Sequence, residues 1–66
     1  MSIVKVIEVL AEGNSIEAAM ESAVKEASKS VRDIKSLYVE NIQAIVEGET
    51  IVKYRVNVKV SFVVGD

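Results

Sequence analysis

The absence of two residue types decides most of the chemistry that this chain can do with its own side chains. It contains no Cys and no His, which excludes the usual pairs of nucleophile and base and the common Cys/His zinc sites. Its carboxylates are scattered, as is typical of a solvated surface, and no Gly-rich nucleotide-binding loop or P-loop occurs. We therefore predict no catalytic residues, no metal ligands and a protein that is not an enzyme. An active site assembled between subunits is the alternative.

Three cations alternate along one segment near the C-terminus. Lys53, Arg55 and Lys59 lie on one face of that segment if it is a strand, because strand side chains alternate between faces. Such a stripe would suit phosphate or another anion. The interpretation we favour is a set of ion pairs with carboxylates of neighbouring elements, and Glu40 is the first candidate.

Tyr38 is the one aromatic residue that the predicted core does not need. In a regular strand it shares a face with Ser36, Glu40, Ile42 and Ala44, where it could stack on a planar ligand or on its own symmetry mate. Nucleic acid is not an expected partner, because the net charge is −2 and only 5% of the residues are aromatic.

The periodicity of the chain predicts a single domain over residues 1–66 with the element order β-α-β-β. Asn14, followed by Glu17 three residues later, reads as a helix N-cap with a capping box. The predicted elements are a strand from Ile3 to Leu10, a turn over 11–13, a helix whose apolar stripe runs from Ile16 to Val31, a strand from about Ile34 to Val46, a turn over 47–49 and an alternating strand over 52–64.

A right-handed crossover followed by a hairpin would put the third strand between the other two, antiparallel to both. The predicted fold class is therefore α+β, a three-stranded antiparallel sheet partly wrapped around one helix. The core expected between helix and sheet consists of Met20, Ala23, Val24, Val56, Val58, Val60 and Phe62. The other sheet face has no cover from the chain, and we expect Leu37, Val39 and Ile45 or their neighbours to meet other subunits there.

Size and composition predict a homo-oligomer. A chain of 66 residues buries too little surface to be very stable alone, and disulfides are excluded. Half of the residues are apolar, which is more than one small core can hide. No apolar run approaches a membrane span, and Lys5 and Glu8 interrupt the first apolar stretch. We expect no membrane partner, no signal peptide and a cytoplasmic location.

Four segments together carry a resemblance to a known family, although none of them is diagnostic alone. They are KVIE at 5–8, AVKEASKSVR at 23–32, YVENIQA at 38–44 and YRVNVKVSF at 54–62. With the length and the element order, they make the chain resemble a dodecin over nearly its whole length.

The resemblance implies a hollow, roughly spherical homododecamer with cubic symmetry. Flavin-binding members of the family hold stacked pairs of riboflavin or FMN rings near two-fold axes. A Trp of strand two sandwiches the rings, and a Gln of strand three forms hydrogen bonds with the ring edge. The implied role is storage or protection of flavin, without catalysis.

This chain departs from the family pattern at both positions. In a gapless alignment the Trp position falls on Ser36, which has no ring, and the Gln position falls on Arg55, which has no acceptor atom. Tyr38 is two residues from Ser36 and on the same face. Gln43 lies on the opposite face if the strand is regular, and a bulge would reverse that.

The cofactor-binding candidates are therefore Ser36, Tyr38, Gln43 and Arg55, and we expect flavin binding to be weak or absent. A flavin-free shell that holds ions or another small ligand is one alternative. A purely structural assembly is another.

Overall fold

The computed structural model describes residues 3–65. Four elements follow one another: β1 (Ile3–Gly13), α1 (Ile16–Ser28), β2 (Ile34–Glu47) and β3 (Thr50–Val64). The sheet order is β1-β3-β2, and both β1 and β2 pair with β3 in the antiparallel sense. The predicted fold class and strand order are thus confirmed. Between residues 3 and 65, no helix is long and apolar enough to span a bilayer.

β1 is longer than its sequence pattern indicates. The predicted turn over 11–13 is wrong, because Ala11 pairs with Val56 and Gly13 with Tyr54 as the strand continues. Gly13 is needed for a different reason: a Cβ at this position would lie 2.6 Å from the backbone nitrogen of Ala19. The missing side chain lets the first turn of α1 pack directly on the end of β1.

The helix begins one residue later than predicted. Ser15 is the N-cap, with extended backbone angles, and its hydroxyl accepts a hydrogen bond of 3.0 Å from the backbone N–H of Ala18. The predicted cap at Asn14 and its capping box are therefore wrong. Glu17 lies in the first helical turn, where a carboxylate interacts favourably with the helix dipole.

The core is a row of alanines packed on the central strand. Ala19, Ala23 and Ala27 are buried at intervals of four residues against Val56, Val58 and Val60, and Phe62 is buried as well. Side chains four apart lie on one helix face, and their small size lets the helix approach the sheet closely. The predicted core is confirmed for Ala23 and the four β3 residues. Met20 and Val24 are only half-buried, since they lie beside the alanine row.

We call the side of the sheet that faces away from α1 the open face. β1 contributes to it three well-exposed apolar residues, Val4, Val6 and Leu10. The expectation that Leu37 and Val39 lie there is wrong. They pair with Val60 and Val58, and both pack against the core on the helix side.

Candidate functional site

A β-bulge in the middle of β2 determines which of its side chains reach the open face. Val39 pairs with Val58 but Asn41 pairs with Asn57, so Glu40 is an extra residue in β2. The alternation of side chains shifts by one at this point. Ser36 and Tyr38 lie on the open face before the bulge, and the open-face residues after it are Asn41, Gln43 and Ile45.

Because of the bulge, Gln43 joins the other three candidate residues, Ser36, Tyr38 and Arg55, on the open face of the sheet. Gln43 pairs directly with Arg55 instead of pointing to the opposite side. Ile42 and Ala44, which were expected beside Tyr38, pair with Val56 and Tyr54 and are directed to the helix side.

The four candidates do not form one compact cluster within a chain. Ser36 pairs with Ser61, and the two hydroxyls share a hydrogen bond. Tyr38 pairs with Lys59, and the residue is 66% exposed. Ser61 is separated from Arg55 by six residue steps along β3, or roughly 20 Å at the rise of a strand.

Two of the three cations of β3 share one carboxylate. Glu12 Oε2 accepts a hydrogen bond of 2.8 Å from Nε of Arg55 and lies 2.8 Å from Nη2 of the same residue, and Lys53 Nζ lies 3.0 Å from Glu12 Oε1. The hydrogen bond from Lys53, and next that from Arg55, hold the pKa of the Glu12 carboxyl below its usual value. This group of two cations and one anion lies toward the β2–β3 turn.

The third cation pairs with the bulge. Lys59 Nζ lies 3.2 Å from Glu40 Oε1, and this hydrogen bond raises the pKa of Lys59 above its usual value, with a smaller contribution from the charge of Glu8 across the strand pair. The predicted pairing of the stripe with carboxylates is confirmed, and Glu40 is the partner of Lys59. Glu12 was not foreseen as the partner of the other two cations, because it was assigned to a turn.

Two carboxamides on the open face were missed by the sequence analysis. Asn41 and Asn57 are directly opposed across β2 and β3. In the described part of the chain, Asn57 Oδ1 is buried without a hydrogen-bond partner, which is costly for an amide oxygen. The signal that could have identified Asn57 was its place among the polar residues of the alternating strand.

Between residues 3 and 65 the chain encloses no pocket, and no three acidic side chains in that range converge as metal ligands. The candidate site is therefore an open surface of a sheet. It offers an exposed phenol ring, carboxamides, and cations that are paired with carboxylates.

The comparisons with known proteins agree on one family and one fold. Residues 3–65 match the family model described as Dodecin. The tt0972 protein from Thermus thermophilus is 22% identical, with a TM-score of 0.92 over 100% of this chain and 98% of that chain. A Trp-to-Phe variant of the T. thermophilus dodecin is 22% identical, with a TM-score of 0.90 and complete coverage of both chains.

A more distant structure has the same fold. The dodecin from Streptomyces davaonensis is 15% identical, with a TM-score of 0.89 over 98% of this chain and 97% of that chain. No curated protein matches the chain. At these identities the solved structures establish the fold, and the family model carries the assignment to a family.

Proposed function

Since this chain belongs to the dodecin family, a family of small binding proteins, we propose that it forms a homododecamer whose binding surface is the open face, with flavin as the family's ligand. The observation that carries the proposal is the uncovered open face itself. It presents exposed Val4, Val6, Leu10 and Tyr38 next to a row of polar groups. We further propose that residues 1–66 form a single domain, that the protein is cytoplasmic, and that its role is to bind and not to catalyse.

The chemistry of the open face fits a flavin in two respects. An isoalloxazine ring needs a flat apolar surface and a partner with both a donor and an acceptor for its imide edge. The exposed ring of Tyr38 supplies the first, and the Gln43 amide supplies the second. A bound flavin brings a redox-active and light-absorbing ring, and the residues of this chain would hold that ring and shield it.

The spacing of these residues favours a site between subunits. Tyr38 pairs with Lys59, and Gln43 pairs with Arg55, so the two side chains are separated by four steps of β3, or roughly 13 Å. A single ring cannot stack on Tyr38 and meet Gln43 of the same chain over that length. A ring in contact with both would take each of them from a different subunit.

Ser36 should make the affinity for flavin low. Stacking on an aromatic side chain is worth roughly 1–3 kcal/mol per base in nucleic-acid complexes. A ring pair on a two-fold axis would lose two such contacts, or about 2–6 kcal/mol, which corresponds to roughly 30-fold to more than 10⁴-fold weaker binding. Tyr38 recovers part of this stacking only if the ring shifts along β2 by about 6–7 Å.

The test is a titration of riboflavin and of FMN followed by fluorescence quenching. We expect dissociation constants above the micromolar range for the unmodified chain and much tighter binding for Ser36→Trp, with a yellow preparation of that variant. Sub-micromolar binding by the unmodified chain would contradict our interpretation of Ser36.

A flavin-free shell is the second candidate, and one feature of the structure favours it. Both family positions are engaged within the chain, because Ser36 shares a hydrogen bond with Ser61 and Arg55 binds Glu12. An assembly that quenches no flavin fluorescence, either as the unmodified chain or as Ser36→Trp, would select this candidate. Such a shell would then hold ions or another small ligand, or be purely structural.

A further inference from the structure

We propose that Gln43 is the residue that recognises the ring edge in this chain and that the bulge at Glu40 is the device that positions it. This inference rests on the proposed function. It assigns to β2 an amide role that the family pattern places on β3.

The bulge sets the orientation of Gln43. With Glu40 as an extra residue, Asn41 and Gln43 lie on the open face opposite Asn57 and Arg55. If Glu40 were a regular strand residue with its own partner on β3, strict alternation would direct Gln43 to the helix side. The bulge is anchored on the open face by the contact of 3.2 Å between Glu40 and Lys59.

Arg55 lacks the acceptor that an imide edge requires. Its guanidinium group can only donate hydrogen bonds, and two of its nitrogens are already directed to Glu12. It therefore cannot accept a hydrogen bond from the N–H of an imide. Gln43 carries both a donor and an acceptor, so it supplies the acceptor that Arg55 lacks.

Gln43 and Arg55 are neighbours across β2 and β3. Directly opposed residues of an antiparallel pair have Cβ atoms about 4.5–5.5 Å apart. Compared with the family pattern, the amide therefore lies one strand away, on Gln43 of β2 instead of at the position of Arg55 on β3. It faces the same side of the sheet. Gln43 can bond the N–H and one carbonyl of an imide edge, while a free N–H of Arg55 meets the second carbonyl. The ligand class is a planar heterocycle with an imide edge.

The experiment compares riboflavin with N3-methylriboflavin, in which the imide N–H is replaced by a methyl group. The full-length Ser36→Trp chain is the background, because it supplies measurable affinity. We expect it to bind riboflavin at least 10-fold more tightly than the methylated ligand. Adding Gln43→Leu should weaken riboflavin binding by at least 10-fold and abolish the discrimination, since a site built to bond a polar group loses affinity and selectivity together when the bond is removed.

Three further variants separate a specific role from a general loss of structure. Asn14→Leu makes the same kind of exchange at an exposed position outside the sheet and should leave both affinities unchanged. Insertion of one Ala between Ile42 and Gln43 should abolish the discrimination as Gln43→Leu does, because it shifts the alternation of side chains by one and turns Gln43 to the helix side. Glu40→Ala keeps the extra residue and should retain at least half of the discrimination. The Gln43→Leu result decides the matter alone if the insertion variant does not fold.

The outcomes separate the two proposals. Riboflavin binding by Ser36→Trp that is unchanged by Gln43→Leu, with the discrimination intact, would overturn the role of Gln43 and leave the proposed function standing. A Ser36→Trp chain that assembles but binds no flavin at all would overturn both the flavin proposal and this inference.

Discussion

Glu12 is held by two cations at once, which makes it the most informative single residue for electrostatics. Its pKa lies below the usual value, first because of the hydrogen bond from Lys53 and then because of that from Arg55. We expect an NMR titration of the Glu12 carboxyl carbon to show this lowered pKa. In Lys53→Gln the pKa should move back toward the ordinary value, because the largest cause has been removed.

The sign of the effect on stability follows from the direction of this shift. A carboxyl whose pKa is lower in the folded state contributes stability that is present above its unfolded value, near 4.5, and is lost as the pH falls through the folded value. Acid unfolding should therefore depend less on pH in Glu12→Gln than in the unmodified chain. The same Glu12 titration curve in Lys53→Gln as in the unmodified chain would contradict the assigned cause.

Phe62 is the largest side chain in the buried core and is 8% exposed. Phe62→Ala should lower the free energy of unfolding by roughly 3–5 kcal/mol, because it removes a buried ring and leaves a cavity. Denaturant titration at a fixed protein concentration measures this. Lys25→Ala, at an exposed helix position, is the control and should change stability by less than about 0.5 kcal/mol. Equal stability of the two variants would argue against the packing of helix on sheet.

At the scale of elements, Gly13 and Gly48 are required for different physical reasons, and substitution by Asn distinguishes them. A Cβ on Gly13 would lie 2.6 Å from the backbone of α1, whereas Gly48, in the β2–β3 turn at φ +63°, has open space around it. Gly13→Ala must push the helix away and should cost about 1–3 kcal/mol, as overpacking does.

Gly48 provides the matched comparison. Gly48→Ala should cost about 1–2 kcal/mol through backbone strain alone, and Gly48→Asn should recover part of that because Asn tolerates the left-handed region. Gly13→Asn should recover nothing, since the obstacle there is the space between β1 and α1. Thermal unfolding of the four variants measures the difference. Rescue by Asn at both positions would show that Gly13 is not limited by close packing.

At the scale of the whole molecule, the open face carries the apolar surface on which the proposed assembly rests. Val4, Val6 and Leu10 are each more than half exposed on it, and such apolar surface is typical of an interface. We expect light scattering coupled to size-exclusion chromatography to give the mass of a dodecamer. A stable monomer at micromolar concentration would contradict the proposed assembly.

The sequence alone determined the element order and the strand order, and it identified the buried side of β3. Two local periodicities carried this information: the alternation along 52–64 and the spacing of Ala19, Ala23 and Ala27. Each is a direct consequence of the geometry of a strand or a helix. Because crossover connections between strands are right-handed, few arrangements of three strands and one helix remained. The resemblance to a family followed from the same segments, and the family model confirms it.

The tertiary structure alone decided the extra residue at Glu40, the close approach at Gly13, the cap at Ser15 and the pairing of Glu12 with Arg55. The extra residue at Glu40 turns Gln43 to the open face, and Glu12 engages the guanidinium group of Arg55. These two features therefore shape the candidate site. A bulge is a property of the register between two strands, and an ion pair between β1 and β3 joins residues 43 positions apart. Local patterns carry no information about such registers, because the partner strand and the packed helix set them.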